Sequence, residues 1–139
     1  MRRTIVGLCL AAGTCLWTGC SNGTDTSSAT VPTVPTPPAV TETFTGSLSP
    51  NGAVNYPFTA QAGNVTVTLT SLGDPTLTVG MMLGNWTGTS CQAAITDDTA
   101  MVGAVVTGSV TSATNLCVRI YDVGQVAVTV RFTITIGHA

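Results

Sequence analysis

Lysine is missing from this chain altogether, and its only cations are Arg2, Arg3, Arg119 and Arg131. Charged side chains of any kind make up only 7% of the residues, so the polar surface must be built from Thr, Ser, Asn and Gln. From Cys20 onward, Arg119 and Arg131 stand against Asp25, Glu42, Asp74, Asp97, Asp98 and Asp122, a net charge of −4. A surface with so few cations has no electrostatic hold on phosphate, which excludes nucleic acid as a partner and disfavours direct binding to anionic headgroups. Histidine occurs once, at His138. A Ser-His-Asp hydrolase needs an imidazole held firmly by its surroundings, and a ring one residue from the last position is not expected to supply one. The carboxylates form no acid/base pair by spacing, and no window has the apolar period of an amphipathic helix. No catalytic residues are assigned, and the chain is read as a non-enzyme.

The first twenty residues, MRRTIVGLCLAAGTCLWTGC, do carry information. Arg2 and Arg3 form a positive n-region. Ile5 to Trp17 is an apolar run too short for a mature membrane span and of the length of a signal-peptide h-region. Thr18-Gly19-Cys20 ends it with small residues before a cysteine. This ending resembles a bacterial lipoprotein signal, which implies removal of residues 1–19 and acylation of Cys20, so that the partner is a membrane reached through an N-terminal lipid. The chain departs from that pattern at the third position before the cysteine, where Trp17 replaces the usual Leu and Leu16 sits one place earlier. An ordinary secreted protein is the alternative, although no A-x-A site precedes Cys20. The arginine pair also fits a twin-arginine export signal. Ser21 resembles the residue that follows the cysteine in lipoproteins sorted to the outer membrane.

Of five cysteines, Cys9 and Cys15 leave with such a leader and Cys20 takes the lipid. Cys91 and Cys117 remain. Two thiols in an exported chain are expected to form a disulfide. A metal site would need further ligands, which the lone His138 does not provide.

From Ser21 to about Thr41 the chain is Ser, Thr, Pro, Val and Ala with almost no charge. Such a segment buries too little apolar area to offset its conformational entropy, so residues 20–41 are expected to be a disordered tether. Prolines 32, 35, 37 and 38 stiffen it towards polyproline II. At ~3.1 Å per residue it reaches at most roughly 60 Å.

Residues 42–139 read as one all-β domain. Val126, Val128, Val130, Phe132, Ile134 and Ile136 alternate with smaller or polar residues, the period of a half-buried strand. Val65, Val67 and Leu69 alternate with threonines in the same way. Leu77, Val79, Met81 and Leu83 predict another strand. Val54, Tyr56 and Phe58 predict one at a sheet edge, because Pro57 lacks the ladder donor. Leu116, Val118 and Ile120 define one face of a strand with Cys117, Arg119 and Tyr121 on the other. Thr43–Leu48 and Met101–Val110 complete seven or eight strands.

Turn residues separate these runs. Pro50-Asn51-Gly52 and Ala62-Gly63-Asn64 predict tight turns, Gly73-Asp74-Pro75 a longer corner, and Val123-Gly124 a hairpin. Short strands with frequent turns indicate an antiparallel sandwich or barrel. A faint internal echo pairs the segments at Gly46 and Gly63 with those at Gly108 and Gly124, at offsets of 62 and 61 residues. It is either two pseudo-equivalent hairpins of a jelly roll or a coincidence among Gly/Val/Thr strands.

Phe44-Thr45-Gly46-Ser47-Leu48, Ala62-Gly63-Asn64-Val65-Thr66-Val67-Thr68-Leu69, Cys117-Val118-Arg119-Ile120-Tyr121-Asp122-Val123-Gly124 and Phe132-Thr133-Ile134-Thr135-Ile136 together resemble the bacterial pre-peptidase C-terminal domain. The resemblance covers the whole of 42–139. It implies a jelly-roll-like β-sandwich of the kind appended to exported enzymes, with accessory roles in attachment, secretion or stability. No accompanying catalytic domain is expected here, which departs from the family's usual setting.

Two further sites are weighed. Asp97-Asp98, with Asp74 or Asp122, could offer oxygens to Ca²⁺, but no D-x-D-x-D-G loop fixes the geometry, and a solvated turn is the better account of them. Apart from that Ca²⁺ candidate, no cofactor is expected. Trp86, between Gly84 and Gly88, would stack on a sugar if exposed, or shield the Cys91 region if not. The sequence therefore points to a non-catalytic, lipid-anchored envelope protein; the alternatives are a carbohydrate-binding or adhesin-like module with a glycan or protein partner, or the accessory subunit of an exported enzyme.

Overall fold

The computed structural model describes residues 35–139. The signal-like segment, Cys20 and most of the expected tether lie outside the described residues. Eight strands follow in chain order: β1 (Val40–Leu48), β2 (Ala53–Ala60), β3 (Gly63–Leu72), β4 (Val79–Trp86), β5 (Cys91–Ala100), β6 (Val105–Val110), β7 (Thr114–Tyr121) and β8 (Val130–His138). They form two four-stranded antiparallel sheets, ordered β1-β8-β3-β6 and β2-β7-β4-β5. Every connection changes sheet except β4 to β5. Wrapping β1–β4 against β8–β5 in this way is the jelly roll, so the all-β sandwich expected from the turn density is the fold.

The core lies between the sheets and is supplied by the alternating runs. Val65, Val67 and Leu69 of β3 and Phe132, Ile134 and Ile136 of β8 are buried from the first sheet. Met81 and Leu83 of β4 and Leu116, Val118 and Ile120 of β7 meet them from the second. Each such side chain is worth about 1.5–3 kcal/mol in transfer from water. The outer face of the first sheet is the opposite phase of the same alternation. Thr43, Thr135 and Thr68 sit side by side across β1, β8 and β3.

Pro57 lies on β2, which is an edge strand as the missing ladder donor led us to expect. The turns differ from the expectation in what they join. Pro50-Asn51-Gly52 is a tight turn, closed by Gly52 N–H donating to the Ser49 carbonyl, but it carries the chain from one sheet to the other. Val123-Gly124 is no hairpin, because β7 and β8 belong to different sheets. β8 also starts at Val130 rather than Val126. Val126 is buried and Val128 is 71% exposed, in a loop rather than a strand. The reason is Asp122. Its Oδ1 accepts the backbone N–H groups of Gly124, Gln125 and Val126, which winds the chain into a turn before it can extend. The second half of the internal echo falls on this loop, so the repeat does not describe equivalent hairpins. Its first half does place Gly46 and Gly108 on β1 and β6, the two opposite edges of one sheet.

β4 likewise starts at Val79, and Leu77 packs on the core from the preceding corner. There Asp74 Oδ1 accepts the N–H and hydroxyl of Thr76. β5 was not expected at all. Asp97 and Asp98 lie within this edge strand and not in a turn.

Candidate functional site

The outer face of the second sheet carries Cys91, Cys117 and Trp86, three of the residues that the sequence singled out. β4 and β7 pair so that Gly80 lies opposite Tyr121, Met82 opposite Arg119 and Gly84 opposite Cys117. Because Cys117, Arg119 and Tyr121 are out of phase with the core-facing Leu116, Val118 and Ile120, they share the outward face. The expected disulfide, Cys91–Cys117, is formed on this face, with a Cα–Cα separation of 5.7 Å. It joins the start of β5 to β7, the two strands on either side of β4.

That bridge needs Gly84. A β-carbon there would collide with the carbonyl of Gln92, so the backbone that brings Cys91 over β4 occupies the space a side chain would fill. The β4–β5 register shifts between Leu83 and Gly84, which is the bend that carries the chain across. Met82, Cys91 and Cys117 form a small second apolar cluster, against which Trp86 and Tyr121 are partly buried. Trp86 thus shields the disulfide on one flank while keeping part of its ring in water.

Tyr121 lies over Gly80, which must lack a side chain for the ring to settle there. The Arg119 guanidinium carbon sits 5.9 Å from the centre of that ring. The Tyr121 hydroxyl donates to Asp98 Oδ1. Burial of the phenol, then this bond and the charge of Asp98, push the Tyr121 pKa up to about 12, with Arg119 opposing the shift.

The calcium candidates are otherwise engaged. Asp98 accepts from Tyr121, and Asp97 Oδ1 accepts the N–H and hydroxyl of Thr99. Asp74 is bonded to Thr76 in the β3–β4 corner, and Asp122 to the β7–β8 loop. Among the described residues no three His, Cys, Asp or Glu side chains gather as an ion would require.

Asp122 makes the most hydrogen bonds of any of these carboxylates. Its Oδ2 accepts from Asn51 N–H at 2.8 Å while Oδ1 takes the three amides of the β7–β8 loop. Its own N–H donates to the Gly52 carbonyl. The amides of Val126 and Asn51, then those of Gln125 and Gly124, hold its carboxyl below the usual range. One half-buried residue thereby ties two sheet-crossing turns together.

His138 is not on a fraying end. It continues the buried alternation of β8 after Ile136, is 8% exposed, and packs on Phe58 with ring centres 5.3 Å apart. Its Nε2 lies 3.0 Å from Glu42 Oε1 and its Nδ1 3.1 Å from the Ala139 carbonyl oxygen. The ring therefore links β1 to β8 at one end of the core and is bonded to no hydroxyl. The Glu42–His138 pair spans 96 residues of sequence, and no local signal announces it.

No protein-family model matches this chain, and no curated protein sequence matches it either.

Proposed function

We propose that this protein is a lipid-anchored component of the bacterial cell envelope, and that its jelly roll is a non-catalytic binding or structural module. The observation that carries the reading is the N-terminal sequence: a basic pair, a short apolar run and Thr18-Gly19-Cys20, followed by a Pro/Thr/Ser-rich stretch and then by a folded unit. The Cys91–Cys117 disulfide supports it, because such bonds persist in oxidising compartments outside the cytoplasm. The jelly roll also supports the likeness to the pre-peptidase C-terminal domain, and with it a role beside an exported enzyme. The sole histidine is spent on Glu42 and the backbone, which favours a non-catalytic role. On this reading the anchored protein belongs to the outer membrane, as Ser21 after the cysteine suggests.

The test is mass spectrometry of protein recovered from its own envelope, together with fractionation of a Cys20→Ala variant. The reading requires a mature chain that starts at Cys20 with added acyl mass, and a variant released from the membrane fraction. A retained leader, or a variant that stays membrane-bound, overturns it.

One arrangement favours a second reading, a glycan-binding module. Trp86 and Tyr121 both expose part of their rings on the outer face of the second sheet, with Arg119 beside Tyr121 to bond hydroxyls. Polysaccharide pull-down by the native protein, lost in Trp86→Ala with the fold intact, is the result this reading requires.

A further inference from the structure

A sandwich of two open sheets has four edge strands, here β1 and β6 in one sheet and β2 and β5 in the other. An edge strand offers a row of unpaired N–H and C=O groups, and stable folds blunt that row with proline, bulges or inward-pointing charge. Three of the four edges carry such a device. β2 has Pro57 in mid-strand. β1 directs Glu42 inward, in register with the buried Ile136, onto His138. β5 is broken by two register shifts against β4 and drawn over it at Cys91.

β6 has none of these. Its sequence, Val105-Val106-Thr107-Gly108-Ser109-Val110, contains no proline and no charge, and it pairs with β3 without interruption from Val110 opposite Gly63 to Val105 opposite Thr68. No charged residue occurs between Asp98 and Arg119. The surroundings are apolar as well. Of six large hydrophobic residues left exposed among those described, Ile95, Met101, Val102 and Val105 lie on β5, on β6 or in the turn between them. Beside them, an apolar depression of about 190 Å³ opens between β5 and β6, next to Gly108, with Leu83, Ile95 and Leu116 in its wall.

We propose that β6 is the contact through which two copies of this chain associate, pairing antiparallel about a twofold axis to join their first sheets into one of eight strands. The ladder specifies an extended strand as the occupant. The absence of charge makes the edge complementary to itself, since a twofold axis sets like residues near like and any charge here would face its own copy. An oppositely charged partner has nothing on β6 to recognise. Tethering at a membrane, the reading proposed above, would raise the local concentration and favour even a weak pairing. The pairing itself does not depend on the anchor.

Sedimentation velocity of the full-length protein, in mild detergent where it carries a lipid, tests this directly. The expected result is a concentration-dependent monomer–dimer equilibrium. Thr107→Lys puts like charges beside the axis on an exposed position and should raise the dissociation constant by about tenfold or more. Thr43→Lys, the matching exposed change on β1, should leave it within about twofold. Far-ultraviolet circular dichroism of both variants checks that the sheets are intact. A protein that stays monomeric at every concentration overturns the proposal, as does a dimer indifferent to Thr107→Lys or equally weakened by Thr43→Lys. Membrane fractionation reports separately on the anchor, so failure of the dimer leaves that reading standing.

Discussion

Gly84 and Cys91 are bound to one another's geometry: the disulfide reaches across β4 only because Gly84 has no side chain beneath the backbone of Gln92. The bridge is therefore encoded at three positions rather than two. It pins the start of an edge strand whose middle buries little of its own surface. Without the covalent link, β5 would be held mainly by its ladder to β4.

Gly84→Ala should thus cost about 1–3 kcal/mol, the range for forcing extra atoms into a packed site. The obstacle is backbone, so side-chain rotation cannot relieve it. Urea unfolding of the oxidised protein measures the loss. A variant as stable as the parent would mean that β5 can lift away from β4 freely.

Replacing Cys91 and Cys117 together by alanine should lower stability by about 3–4 kcal/mol in the chain-entropy model, given their separation of 26 residues. Hydrogen exchange should locate the change. Amides of β5 should exchange faster by more than those of β3 and β8, which sit inside the first sheet.

Asp122 makes stability sensitive to acid. Its amide partners hold the folded carboxyl below the ordinary range, so the unfolded chain takes up the proton first as pH falls. The contribution is complete above the ordinary carboxylate pKa and is lost as pH drops through the lower folded value. Asp74, held down by the Thr76 hydroxyl and amide, acts in the same direction. Unfolding free energy measured from pH 6 downward should fall, and Asp122→Ala should flatten that fall while lowering stability at neutral pH.

Tyr121 governs the alkaline side. Its folded pKa of about 12 lies above the ordinary value of 10.0, so stability is fully present below about pH 10 and is lost as pH rises towards 12. Ultraviolet difference titration should show tyrosine ionisation extending late, with the latest step absent in Tyr121→Phe. Asp98→Asn should bring it down only part of the way, because burial is the larger cause. Tyr56 is also raised by burial, so the Tyr121→Phe subtraction is needed to assign the late step.

Much of this fold is legible in the residues because alternation is a local property. The buried and exposed phases of Val65–Leu69 and Phe132–Ile136 follow from a period of two, and they are the inner and outer faces observed. Pro57 marks an edge for an equally local reason, a donor that does not exist. The cysteine partner followed from counting. By contrast β5 shows no alternation, since an edge strand with two register shifts, six of whose first seven residues are not buried in any regular phase, presents no periodic face. The run from Val126 misled because its pattern is that of a strand, while one carboxylate upstream captures its amides.

The chain's sequence alone pointed to an all-β fold, to a surface that is hydroxyl-rich and nearly free of cations, and to Cys91 and Cys117 as the expected pair. Tertiary structure decided where each turn delivers the chain. A turn's residues set a reversal of direction, but which sheet the next strand joins depends on apolar faces far away in sequence. The same long-range packing set Trp86 against the disulfide, closed His138 onto Glu42, and left β6, among the described strands, as the edge without proline, bulge or charge.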